Sequence, residues 1–72
     1  MTKLRKRSLS IAGHRTSIAL EPDFWTALEE IAAQQGVPLS QLVAKADATR
    51  QTASLSSHLR LMALRHYRQR GD

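Results

Sequence analysis

The feature that most restricts the fold of this chain is a change of hydrophobic period near residue 20. His14 to Leu20 alternates, with Thr16, Ile18 and Leu20 on one face and Arg15, Ser17 and Ala19 on the other. That period of two belongs to a half-buried strand. From Pro22 onward the apolar residues recur at helical spacing. A lone strand followed directly by helices leaves its backbone N–H and C=O groups without partners, which costs free energy unless another strand supplies them. No second strand of matching length is expected in the chain. The simplest pairing is then with the same strand of a second copy, antiparallel about a twofold axis.

The segment upstream, Met1 to Gly13, is basic at Lys3, Arg5, Lys6 and Arg7 and then alternates as Ser8-Leu9-Ser10-Ile11. Its apolar residues fall on odd positions, whereas those of 14–20 fall on even ones. A strand cannot change parity without turning over, so a break or bulge is expected at Gly13-His14, where glycine permits the backbone angles. Residues 1–13 are accordingly read as a basic N-terminal arm and 14–70 as the folded domain.

Three helices follow. In the first, Pro22 suits the opening helical position, Glu21 and Asp23 favour the positive end of the dipole, and Gly36 suits the stop. Phe24, Ala27, Leu28 and Ile31 form its apolar stripe, flanked by Trp25 and Ala32, with Glu29, Glu30 and Gln34 opposite. The second is expected from Pro38 to about Arg50 and carries Leu39, Leu42, Val43 and Ala46. A polar break at Gln51-Thr52-Ala53-Ser54 follows, with Ser54 placed to cap the third helix from Leu55. That helix carries Leu59, Met62, Ala63 and His66 on one side and Leu61 and Leu64 on the other. A helix that is apolar on both sides needs cover on both, which points to an interface between subunits.

Composition narrows the function. With 72 residues and no cysteine, the chain has a small core and no disulfide or thiolate metal site, so association with a second copy is the expected route to stability. Its three histidines, at 14, 58 and 66, are not at the spacing of a helical ligand pair, so no metal and no other cofactor is expected. A net charge of +5 directs attention to nucleic acid. No apolar run approaches the roughly 20 residues needed to cross a bilayer, and the stretch 1–13 has a basic start without the apolar region a secretory signal needs. A soluble cytoplasmic protein of a bacterial cell is expected. No paired carboxylates, no nucleophile with its base and no phosphate loop can be assembled, so the chain reads as a non-enzyme without an evident small-molecule ligand.

The residues Gly13-His14-Arg15-Thr16-Ser17-Ile18-Ala19-Leu20-Glu21, Phe24-Trp25, Leu28 and Ile31-Ala32, with Gly36 and the stretch Leu55-Ser56-Ser57 and Leu59-Arg60, resemble the ribbon-helix-helix family. The likeness runs over residues 8–68. It is closest to a bacterial subgroup of short proteins. The resemblance implies a mainly α fold with one β-strand, an intertwined homodimer with an intersubunit antiparallel β-ribbon, here extended by a C-terminal helix. It also implies a sequence-specific DNA-binding protein, a transcriptional regulator, whose ribbon enters the major groove with Arg15, Ser17 and Ala19 at the base-contacting positions. A phosphate clamp is implied at the start of the second helix. There the chain departs from the family, with Pro38 at the usual capping position and Ser40 the nearest hydroxyl.

The chemistry of the outward residues suits base reading. Arginine bonds guanine O6 and N7 in a bidentate way, serine donates or accepts, and alanine packs against a thymine methyl. His14 beside the ribbon, and Lys6 and Arg7 in the arm, are candidate contacts to DNA, chiefly to phosphates. The competing function is a homodimeric adaptor that grips a protein partner with the C-terminal helix.

Overall fold

A turn that sends the chain back along itself accounts for the change of parity at Gly13. In the computed structural model, which describes residues 3–49 and 54–70, strand β1 (Arg5–Ile11) and strand β2 (His14–Leu20) form an antiparallel hairpin. The register runs from Ile11 opposite His14 at the turn to Arg5 opposite Leu20. Ala12 and Gly13 close it with φ of 52° and 82°. Positive φ at both central residues is the geometry of the two-residue turn whose twist matches that of paired strands.

This corrects two expectations: the chain does hold a second strand of matching length, and residues 5–11 are that strand rather than part of an arm. The physical reason lies in the register. With a two-residue turn, Leu9 pairs with Thr16 and Arg7 with Ile18, so odd positions of β1 and even positions of β2 share one face. The parity change was the mark of a reversal, not of a bulge.

Helix α1 (Pro22–Gln35) begins at Glu21, with Pro22 in its first turn, and stops at Gly36. Gly36 has φ 70°, and its N–H reaches Ala33 O at 3.1 Å while Val37 N–H reaches Ala32 O at 3.0 Å. The last carbonyls are thereby satisfied, as the glycine stop anticipated. Helix α2 spans Leu39–Thr49 and α3 spans Leu55–Arg70. Ser54 caps α3 as expected, its Oγ accepting the Ser57 N–H at 3.2 Å. The polar break expected at Gln51–Ala53 lies outside the described residues.

The inner face of the hairpin buries Ile11, Ile18 and Leu20, with Leu9 half-buried beside them. Helix α2 lies against β1 and α3 against β2, while α1 packs on both other helices. The core is completed by Trp25, Leu28, Ile31 and Ala32 of α1, Leu42, Val43 and Ala46 of α2, and Leu59 and Ala63 of α3. The stripe on α1 is rotated from the expected one: Trp25 and Ala32 are buried, Phe24 and Ala27 only half-buried. The rotation follows from the hairpin. Trp25 Nε1 donates to the carbonyl of Arg5 at 2.7 Å, drawing this flank of α1 toward the start of β1. Helix α3 adds Leu59 and Ala63 to this core.

Candidate nucleic-acid interface

Side chains alternate across a strand, so the hairpin has two faces of opposite character. Facing away from the helices are three cross-strand pairs: Ser10 with Arg15, Ser8 with Ser17, and Lys6 with Ala19. All but the half-buried Ala19 are exposed. Among the described residues, none of Lys6, Ser8, Ser10, Arg15 and Ser17 has a side-chain hydrogen bond or ion pair. The face carries two cations and no carboxylate. It offers hydroxyl, ammonium, guanidinium and methyl groups in a strip two strands wide, with nothing of the protein's own to bind.

The edge of this strip is held from behind. Ser56 at the start of α3 donates its hydroxyl to the carbonyl of Ala19 at 3.2 Å. The following residue pair, Glu21 and Arg60, is linked by Arg60 Nε and Nη2 at 2.8 and 3.3 Å from the two carboxylate oxygens. That bond from Arg60, with help from the backbone of Glu21 itself, holds the Glu21 carboxyl below its ordinary range. The same guanidinium lies 5.9 Å from the centre of the Phe24 ring. These contacts fasten the end of β2 and the start of α1 to α3.

The candidate residues separate into groups. Arg15, Ser17, Ala19 and Lys6 come together on the outward face. His14 is exposed beside the turn, but the pleat puts it on the other face with Thr16. Arg7 also lies on the inner side, where its Nη2 bonds Glu29 at 3.2 Å and its guanidinium stacks 4.9 Å from the centre of the Trp25 ring. Ser40 is half-buried in the first turn of α2, apart from the strip. The carbonyl of Pro38 accepts the N–H groups of Gln41 and Leu42 at 3.0 and 3.2 Å, so the leading N–H groups of α2 belong to Leu39 and Ser40.

Sequence reasoning missed Ser8 and Ser10 as members of this face. Their signal was present in the alternation Ser8-Leu9-Ser10-Ile11 and in the parity change, once both are read as a hairpin. Trp25, by contrast, is core as its position beside Ala32 suggested. Among the described residues no group of three or more His, Cys, Asp or Glu side chains is placed to hold a metal ion. No described helix is long and apolar enough to cross a membrane.

A two-stranded ribbon followed by three helices, with small polar and basic side chains on its outward face, is an arrangement of the ribbon-helix-helix class. Comparison gives the family: residues 4–67 match the ribbon-helix-helix domain, and the chain belongs to that family. Members of the family are usually DNA-binding transcription regulators of a non-enzymatic fold. Among solved structures the chain is similar to an uncharacterized protein from Bordetella pertussis Tohama I, at 36% identity and a TM-score of 0.84. The match covers 97% of this chain and 60% of that one. No curated protein matches the sequence.

Proposed function

We propose that this protein is a sequence-specific DNA-binding transcriptional regulator that inserts a dimeric β-ribbon into the major groove. The observation that carries the reading is the outward strip itself, a basic and hydroxyl-bearing face whose side chains have no partner among the described residues. A two-stranded ribbon fits the major groove, and the residue types on it are those that address base edges. Arg15 bonds a guanine, Ser17 takes a donor or acceptor beside it, and Ala19 meets a thymine methyl. Lys6 at the end of the strip, His14 beside the turn, and Ser40 with the opening N–H groups of α2 hold phosphates. The protein acts as a homodimer in the bacterial cytoplasm. Support for the dimer is the second apolar side of α3, where Leu61 is 37% and Leu64 50% exposed.

The test is a salt titration on a duplex selected from random sequence and on a scrambled control. Phosphate contacts set the slope of log affinity against log salt, and base contacts set the ratio between the two duplexes. Arg15→Ala should cost about 1–3 kcal/mol per subunit on the selected site and leave the scrambled duplex nearly unchanged. Equal losses on both would make Arg15 a phosphate contact only. Absence of any binding by the wild-type chain at low salt would remove the DNA reading.

A second reading is an adaptor that grips a protein partner through α3, and the same exposed Leu61 and Leu64 favour it. Substituting both by glutamate separates the two. An adaptor loses its function, whereas a DNA-binding ribbon keeps base preference within each hairpin.

A further inference from the structure

We infer that helix α3 sets the direction of the ribbon, with Arg60 and Ser56 as positioning residues that hold the joint between β2 and α1. The inference rests on the DNA reading above and names residues that act without touching DNA. The joint is a single residue: Leu20 ends the strand, Pro22 opens the helix, and only Glu21 lies between. Its carbonyl already starts α1, accepting the N–H groups of Phe24 and Trp25 at 2.9 and 3.2 Å. A residue at this place often caps its own helix with its side chain, but that of Glu21 makes no such bond. It goes to α3 instead, where Arg60 donates from Nε and Nη2 to its two oxygens. One turn before Arg60, Ser56 donates its hydroxyl to the carbonyl of Ala19. Two consecutive turns of α3 thus grip the chain on either side of the buried Leu20.

The length of the strand makes this joint sensitive. Arg15 lies six residues before Glu21, about 20 Å away at about 3.4 Å per residue. A swing of about 10° at Glu21 therefore carries Arg15 about 3.5 Å, a full base-pair step. A side chain that reads a base has to stay within about 0.5 Å of its productive place. Burial of Ile11, Ile18 and Leu20 keeps the ribbon on the core, but apolar packing is non-directional and does not fix an angle this finely. Hydrogen bonds do, above all a guanidinium fork that engages both oxygens of a carboxylate at once. The ring of Phe24, 5.9 Å from the Arg60 guanidinium, steadies the fork from its other side.

Two other roles for Arg60 are weaker. A phosphate contact needs a free guanidinium, and this one is occupied by Glu21 and Phe24. A role in stability alone gains little, because ion pairs whose side chains are 31% and 35% exposed contribute weakly to folding. What such a pair supplies is geometry. Arg65 and Arg68, further along α3, provide the contrast: both are exposed and have no hydrogen bond or ion pair among the described residues.

The experiment uses the full chain, a duplex selected by it and a scrambled one, well below the melting transition of every variant. Arg60→Lys keeps the charge but loses the fork, Arg60→Gln loses both, and Ser56→Ala removes the second tie. Arg65→Gln removes an equal charge elsewhere on α3. Both Arg60 variants should lower the ratio of selected to scrambled affinity about three- to tenfold, and Ser56→Ala about threefold. Arg65→Gln should leave that ratio unchanged. Glu21→Gln combined with Arg60→Gln should be no worse than Arg60→Gln alone, since both break one bond. A lower melting temperature with an unchanged ratio would make Arg60 a stabiliser only, and equal weakening on both duplexes would make it a phosphate contact. Either result overturns the inference and leaves the DNA reading standing. A wild-type chain without sequence preference would overturn the DNA reading instead, and the positioning role is then judged without DNA. Residual dipolar couplings of the amides of residues 15–19 report the direction of β2 against α1. They should change in Arg60→Gln while those within α1 keep one common orientation, and unchanged couplings in β2 would overturn the inference.

Discussion

Trp25 shows how a single side chain joins two elements. Its ring is buried in the core, its Nε1 holds the carbonyl of Arg5, and the guanidinium of Arg7 lies over its face. Trp25→Phe keeps an aromatic body but leaves that carbonyl without its side-chain donor, and should destabilise by about 1–2 kcal/mol in chemical denaturation. Ile18→Ala, which opens the floor of the hairpin, should cost about 2–5 kcal/mol. Arg15→Ala should stay within about 0.5 kcal/mol of wild type, because its side chain is exposed and has no hydrogen bond or ion pair among the described residues. If Arg15→Ala unfolded the protein while Ile18→Ala were silent, the two faces would be assigned backwards. The carboxyl of Glu21, held below its ordinary range by Arg60, gives a pH dependence of known sign. A depressed folded-state pKa contributes stability that is present above the unfolded-state value and lost as pH falls through the folded one. Glu21→Gln should remove that loss on acid titration of the melting temperature, and an unchanged acid limb would mean that the ion pair contributes nothing.

At the level of elements, the hairpin turn is where the sequence fits its structure least well. Ala12 has φ 52°, a region that a side chain with Cβ enters at a cost of roughly 1–2 kcal/mol. Asparagine followed by glycine is the preferred pair for such a turn. Ala12→Asn should therefore stabilise the protein by up to about 1 kcal/mol, read as a rise in denaturation midpoint with unchanged slope. A fall in stability would mean that the turn in solution is not this one. Helix α3 illustrates the opposite case, a strong local signal matched by its packing. Ser54 caps it, Leu59 and Ala63 enter the core, and Ser56, Arg60, His66 and Tyr67 bond the hairpin and α1. The bond from Tyr67 to Glu30 pushes the phenol above its usual range.

For the whole molecule, the hairpin gives β2 one partner within the chain, and the outer side of α3, where Leu61, Leu64 and Tyr67 remain exposed, offers a surface for association. If two copies meet there, the melting temperature should rise with protein concentration, and Leu61→Glu with Leu64→Glu should abolish that dependence while leaving the fold intact. A melting temperature independent of concentration in the wild type, together with a monomeric mass by light scattering, would confine dimer formation to the DNA.

Much of this could be read from residue order. The three helices, the stop at Gly36, the cap at Ser54 and the two faces of His14–Leu20 all follow from local periodicity and from residues whose backbone preferences are strong. So does the outward placement of Arg15, Ser17 and Ala19, because a strand's alternation assigns its faces without reference to the partner. The partner itself was another matter. Whether His14–Leu20 pairs with a second copy or with Arg5–Ile11 depends on a turn at Ala12-Gly13 that only half matches its preferred residues, and on Trp25 reaching Arg5 across the core. Strand pairing is a contact between distant backbone groups, which local pattern does not encode, whereas the face that each residue occupies is set by the pleat alone. Tertiary structure therefore decided that Arg5–Ile11 pairs with His14–Leu20, that Ser8 and Ser10 share the outward face with Arg15 and Ser17, and that Arg7 is turned inward to Glu29.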